Sequence, residues 1–111
     1  MQFHSVLNLS IAAAGAVVAE TFVSQTGGVP AAGANVLGVA RAPATAAGQL
    51  IPVDVLGTAI VASGGAFNVG DPLQCDVNGN AVVVSTGKTV ARALMAATAA
   101  GQRIEVILIP N

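Results

Sequence analysis

A phrase of the sequence is spoken twice. Val39-Ala40-Arg41-Ala42 leads, after Pro43, into Ala44-Thr45-Ala46-Ala47-Gly48-Gln49 and an apolar run that ends at Leu56. Val90-Ala91-Arg92-Ala93 leads, after Leu94-Met95-Ala96, into Ala97-Thr98-Ala99-Ala100-Gly101-Gln102 and a second apolar run to Ile109. Such self-similarity constrains a chain of 111 residues to two copies of one supersecondary unit. Each copy, 39–56 and 90–109, predicts a strand, a tight turn and a returning strand. In the returning strands Ile51, Val53 and Val55 share one face, as Ile104, Val106 and Leu108 do in the second. Gly48 and Gly101 supply the positive φ that closes two equivalent turns.

The other segments read as strands too. Val6 to Ala12 alternates with period two, Gly15 interrupts it, and Val17 to Ser24 resumes it. Gly27-Gly28 and Pro30 to Gly33 are turn chemistry, and Val36 to Ala42 is the next strand. Pro52 has no backbone donor, which predicts an edge or a bulge there, and Gly57 permits a bend into Thr58 to Ala62. Asn78-Gly79, between Gln74-Cys75-Asp76-Val77 and Ala81-Val82-Val83-Val84, predicts a type I′ hairpin. The fold class is therefore all-β: a small single-domain barrel or sandwich of short antiparallel strands, with two similar hairpins and little or no helix. Residues 1–5 read as an N-terminal arm and 6–111 as the single β domain.

Composition limits what that domain does. Hydrophobic residues make up 54% of the chain and charged ones 8%, for a net charge of -1. The mean hydropathy of +0.78 would suit a membrane protein. However, Gln2, His4, Ser5, Asn8 and Ser10 interrupt the uncharged opening before it reaches the roughly 20 apolar residues of a spanning helix. The small residues from Ile11 to Ala19 resemble a signal-peptide cleavage region, but no Lys or Arg precedes them. With so few charges and no Trp or Tyr there is no basic stripe and no stacking platform, so no nucleic-acid partner is expected. A surface this poorly charged predicts apolar contacts with partners, including other copies of the chain.

Chemistry has little to work with. One histidine, one cysteine and five carboxylates are spread over the chain, and no Ser-His-Asp or Cys-His arrangement is in view. Asp76 to Asn80 superficially resembles a calcium loop, but its glycine comes two places early and Gly87 stands where the bidentate glutamate belongs. Gly87-Lys88-Thr89 ends like a phosphate loop, but Val82 replaces the earlier glycine and a strand follows. No catalytic, cofactor or metal site is expected, and Cys75 reads as a small half-buried apolar residue. Arg41 and Arg92 are equivalent in the two copies, with Asp54 and Glu105 as the nearest carboxylates on the returning strands; each arginine is either paired there or solvated.

The order of these elements carries a resemblance. Thr21-Phe22-Val23, Val36 to Ala40, Ala46 to Gln49, Gly70-Asp71-Pro72, Asp76, Asn78 to Ala81, Ala91 to Leu94, Ala99 to Gln102 and Ile104-Glu105-Val106 follow one another as they do in the capsid cement, or decoration, proteins of tailed bacteriophages and prophages. The chain resembles that family from about Leu7 to Pro110. The resemblance implies a non-enzymatic all-β protein on the outside of the icosahedral head, in the virion, that binds the major capsid protein and stabilises the joints between its subunits. It implies self-association, most commonly as a homotrimer, with a dimer as the alternative. Phe3, His4, Arg41, Arg92, Leu94 and Met95 are the candidate partner contacts. The alternative function is a secreted or cell-surface β-structural or adhesion protein.

Overall fold

A computed structural model describes residues 5–109, with side chains from Leu7 onward. Eight strands follow in order: β1 Ser5–Ala12, β2 Phe22–Val23, β3 Gly38–Ala40, β4 Leu50–Ala62, β5 Pro72–Cys75, β6 Ala81–Val83, β7 Ala91–Ala93 and β8 Arg103–Leu108. All strand pairs are antiparallel, in the spatial order β2-β3-β4-β8-β7-β5-β6, with β1 attached to β4 off that path. The two ends of the path nearly meet. Phe22 N donates to Gly79 O in the β5–β6 turn (2.8 Å), and Ala81 of β6 forms a bridge with Ser63, just past β4. The expected all-β fold is what forms, as a barrel that is almost closed.

β4 holds the barrel together. Its first half pairs with β1 and with β3, and its second half pairs with β8. The bend expected at Gly57 does not divide it: Gly57 has φ 98° inside one continuous 13-residue strand, and there the strand changes partners. Ile51 and Val53 of this strand enter one buried cluster with Val17, Val23 and Ala44, and Ala59 and Val61 enter the larger one with Phe22, Phe67, Leu73 and Ile104. Pro52 is not on an edge as expected. It faces Ser10 of β1, and its carbonyl accepts from Arg41 N (2.9 Å). A proline fits because β3 ends at Ala40, so no strand residue there needs the missing donor.

The two copies of the repeated phrase make the same contacts. Gly48 N donates to Ala13 O while Ala13 N donates to Gln49 O; Gly101 N donates to Ser63 O while Ser63 N donates to Gln102 O, all at 2.8 Å. Val17 pairs with Ala44 as Phe67 pairs with Ala97. The turns are not tight ones. Each is a long loop between its strands, folded on itself by a glutamine: Gln49 Oε1 accepts from Thr45 N and Gln102 Oε1 accepts from Thr98 N (2.8 Å for the latter). Gly48 and Gly101 sit at φ 88° and 85°, as the turn reading required.

Several expected strands are shorter than the alternation implied. Between Val17 and Ser24 only Phe22–Val23 is strand, because the chain reverses at Glu20 with φ 63°. Val36 to Ala42 contracts to Gly38–Ala40. The Asn78-Gly79 turn is also different in kind. Asp76 Oδ1 accepts from Asn78 N (2.8 Å) and Asn80 N (2.9 Å), and Gly79 N donates to Asp76 O. A type I′ turn needs positive φ at both central residues, but only Gly79 has it. The Asp76 carboxylate draws the loop into a wider form by accepting its amides. Cys75 is fully buried where half-burial was expected, with Sγ 3.2 Å from Ala31 O.

Glu105 is the anomaly. It is completely buried in β8, and neither carboxylate oxygen has a hydrogen-bond partner among the described residues. Of the two alternatives for Arg92, the pair with Glu105 does not form within the chain, and the arginine side chain is exposed. Arg41 lies across from Pro52, so Asp54 is its diagonal neighbour, but Arg92 lies across from Ile107, which occupies the position of Asp54 in the second copy. The two extra residues of Leu94-Met95-Ala96 account for that shift. A buried carboxyl without partners is a net cost.

Two expectations follow. Gly101→Ala, which forces a side chain into left-handed backbone, lowers stability by about 1–2 kcal/mol, as read from urea unfolding; an unchanged midpoint would contradict the turn assignment. Glu105→Met, similar in volume and apolar, raises stability by on the order of 1–4 kcal/mol, and a lower melting temperature would show that Glu105 is satisfied.

Candidate interaction surface

Of the residues singled out by sequence, Arg41 is tied down inside the chain. Its Nε lies 3.5 Å from Asp54 Oδ2, and Asp54, almost fully buried, also accepts from Asn8 Nδ2 at Oδ1 (3.0 Å). Asp54 therefore links β1 to the end of β3 across β4. A charge-assisted pair with one buried member is hard to surrender to a partner. Arg41 and Asp54 also line a small cleft with Glu20 and Ile60.

Arg92 has the opposite character. Its side chain is exposed and donates from Nη1 to Gly70 O at 3.3 Å, and Gly70 N in turn donates to Ala93 O (2.7 Å). That brings the loop carrying Val69 beside β7. Ile107 lies directly across from Arg92 and shares its face. Val69 is 64% exposed, Ile107 42% and Met95, in the loop after β7, 40%. A guanidinium beside exposed Ile107 and the turn of Val69, with Met95 exposed in the loop that follows, has the composition of a protein-binding patch, where arginine and methionine are enriched. The sequence singles out Arg92 and Met95 but not Val69 or Ile107. Ile107 was detectable, as it alternates out of the buried set Ile104, Val106 and Leu108. Val69 was not, because only the fold brings its turn to β7. Leu94 is half-buried, its backbone N held by Glu105 O (3.0 Å), so it supports the loop rather than presenting a side chain. Phe3 and His4 lie outside the described residues.

Sequence reasoning also missed the ion pair between Arg103 Nε and Glu20 Oε1, 2.6 Å apart and 83 positions apart in the chain. It fixes the loop before β2 onto the start of β8. With it, three of the four basic residues have an assigned place, Arg92 on a carbonyl and Arg41 and Arg103 on carboxylates. Among the described residues no group of three His, Cys, Asp or Glu side chains is placed to hold a metal ion. No helix among them is long and apolar enough to cross a membrane.

Comparison with known proteins follows from this geometry. The fold matches the N-terminal base of the head fiber protein gp8.5 of bacteriophage phi29, with a TM-score of 0.75 over 93% of this chain and 95% of that one; at 22% identity the likeness is one of fold. No curated protein matches the sequence. The family model described as phage cement protein matches residues 1–108. An all-β barrel whose exposed features are apolar patches fits that match, and the chain belongs to the phage cement protein family.

Proposed function

We propose that this protein binds the outside of the icosahedral head, bridges neighbouring major capsid protein subunits, and strengthens the shell by that contact alone, without catalysis. The family match over residues 1–108 carries the reading. The exposed patch of Val69, Arg92, Met95 and Ile107 supports it, because it offers apolar area around one cation in a chain with very little charge elsewhere. Ligand-linked stabilisation supplies the mechanism. A protein that binds the assembled shell and not its separated subunits shifts the equilibrium towards the shell by its binding free energy. Each joint spanned adds to the resistance against the pressure of packaged DNA.

In this reading Arg92 and Met95 contact the shell, Leu94 positions their loop, and Arg41 acts from within by holding Asp54. Phe3 and His4 join the contact as an N-terminal arm, residues 1–5. Copies act as a homo-oligomer, a trimer by family resemblance, with a dimer as the alternative.

Purified protein is expected to bind expanded heads and not free capsid protein, and to raise the temperature at which heads release DNA. Equal binding to both, or unchanged release, would overturn the function. Arg92→Glu combined with Met95→Asp is expected to weaken head binding at least tenfold, about 1.4 kcal/mol, with an unaltered circular dichroism spectrum. Undiminished binding by this variant would remove the patch from the contact.

A further inference from the structure

β1 is unlike every other strand of the barrel. It is eight residues long and pairs with β4 alone. The short outer strands are covered: β2 is met by Gly79, and β6 by Ser63 and Gly64. Across from β3's end, the second half of β4 is met by Glu20, whose carbonyl accepts from Ala62 N (2.8 Å). From Asn8 to Ser10 no described segment pairs with the outer edge of β1, whose backbone bonds run to β4. At Ala12 that edge is covered by the turn at Gly27, which packs against the Ala12 carbonyl and accepts from Ala14 N (3.1 Å). The faces of β1 are partly open as well, although Ile11 packs against the smaller buried cluster. Leu9 is 39% exposed on one face, and Asn8, Ser10 and Ala12 are exposed on the other. Beside it, Leu7 and Leu56 form the rim of an apolar groove of about 220 Å³, floored by Val36, Val90 and Leu108.

An open strand edge recruits other strands, and proteins normally guard it with lysine, proline, a bulge or a covering loop. β1 has no proline and no charge, and the first charged residue of the chain is Glu20. The bulge of β1 falls near Leu7, so Asn8 to Ala12 remains in regular register. Such an edge needs cover from the moment the chain folds, before any head is present. The partner available at that moment is another copy, and a net charge of -1 gives copies almost no repulsion to overcome.

We infer that the outer edge of β1 between Asn8 and Ser10, with the adjoining groove at Leu7 and Leu56, is the contact between copies of this chain. Backbone pairing along the edge supplies geometry, and burial of Leu9, Leu56 and the groove supplies the apolar area. This gives the self-association in the proposed function a location. It is measured on free protein, so its failure leaves head binding untouched, and failure of head binding leaves it untouched.

The test combines sedimentation equilibrium with amide hydrogen exchange on the whole chain. Wild type is expected to be an oligomer at micromolar concentration, with the outward-facing amides of Asn8 and Ser10 protected, and to lose that protection on dilution to monomer. Ser10→Lys places a charge on the exposed face of the strand without touching either core, and Leu9→Lys places one on the other face. Each is expected to raise the dissociation constant at least tenfold while leaving the protection of β8 unchanged. Two outcomes would overturn the inference. One is a wild-type oligomer that both variants retain, with unchanged exchange in β1. The other is a wild type that stays monomeric at micromolar concentration, with the amides of Asn8 and Ser10 unprotected.

Discussion

The structure depends on the continuity of β4 through Gly57. One half of this strand belongs to the first set of contacts, with β1 and β3, and the other to the second, with β8. The buried residues around it are mostly alanine and valine, with Phe22, Phe67 and Leu73 among the few large ones. Small side chains bury little area each, so cohesion leans on the backbone ladder and on how closely the strands approach. A shared central strand makes the two small clusters one cooperative body, which neither would be alone.

The two loops built on Gly48-Gln49 and Gly101-Gln102 repeat this economy. In each, backbone groups exchange two hydrogen bonds with a distant strand end, at Ala13 or Ser63, and the glutamine side chain closes the loop from within. The glutamine side-chain oxygens of these loops are engaged within the loops themselves. The same is true of Asp76, whose carboxylate is engaged by the amides of Asn78 and Asn80. Function is left to the outside of the barrel, where the exposed apolar residues include Val69 and Ile107 beside Arg92 and Leu7 and Leu9 on β1. One surface for the shell and another for neighbouring copies is what a protein holding a lattice together requires.

Much of this was legible in the sequence. Repetition announced two like units, alternation gave the buried faces of β4 and β8, and the scarcity of titratable groups pointed away from catalysis. What was not legible depended on register. Arg41 and Arg92 look equivalent, but two inserted residues move Ile107 to the place where Asp54 stands in the first copy, so one arginine is paired and the other is open. Asn78-Gly79 has the residues of a type I′ turn, and Asp76 overrode that preference with its side chain. The Arg103–Glu20 pair and the approach of Val69 to β7 join residues that no local pattern connects. That β1 would be left with an open edge follows only from the order of strands around β4.

The central claim is that this protein works by spanning joints in a shell. A cryo-electron microscopy map of decorated heads tests it most directly. The account predicts density for each copy astride a boundary between capsid subunits, with the Val69, Arg92, Met95 and Ile107 face against the shell. Copies seated wholly on single capsid subunits, touching no neighbour, would contradict it.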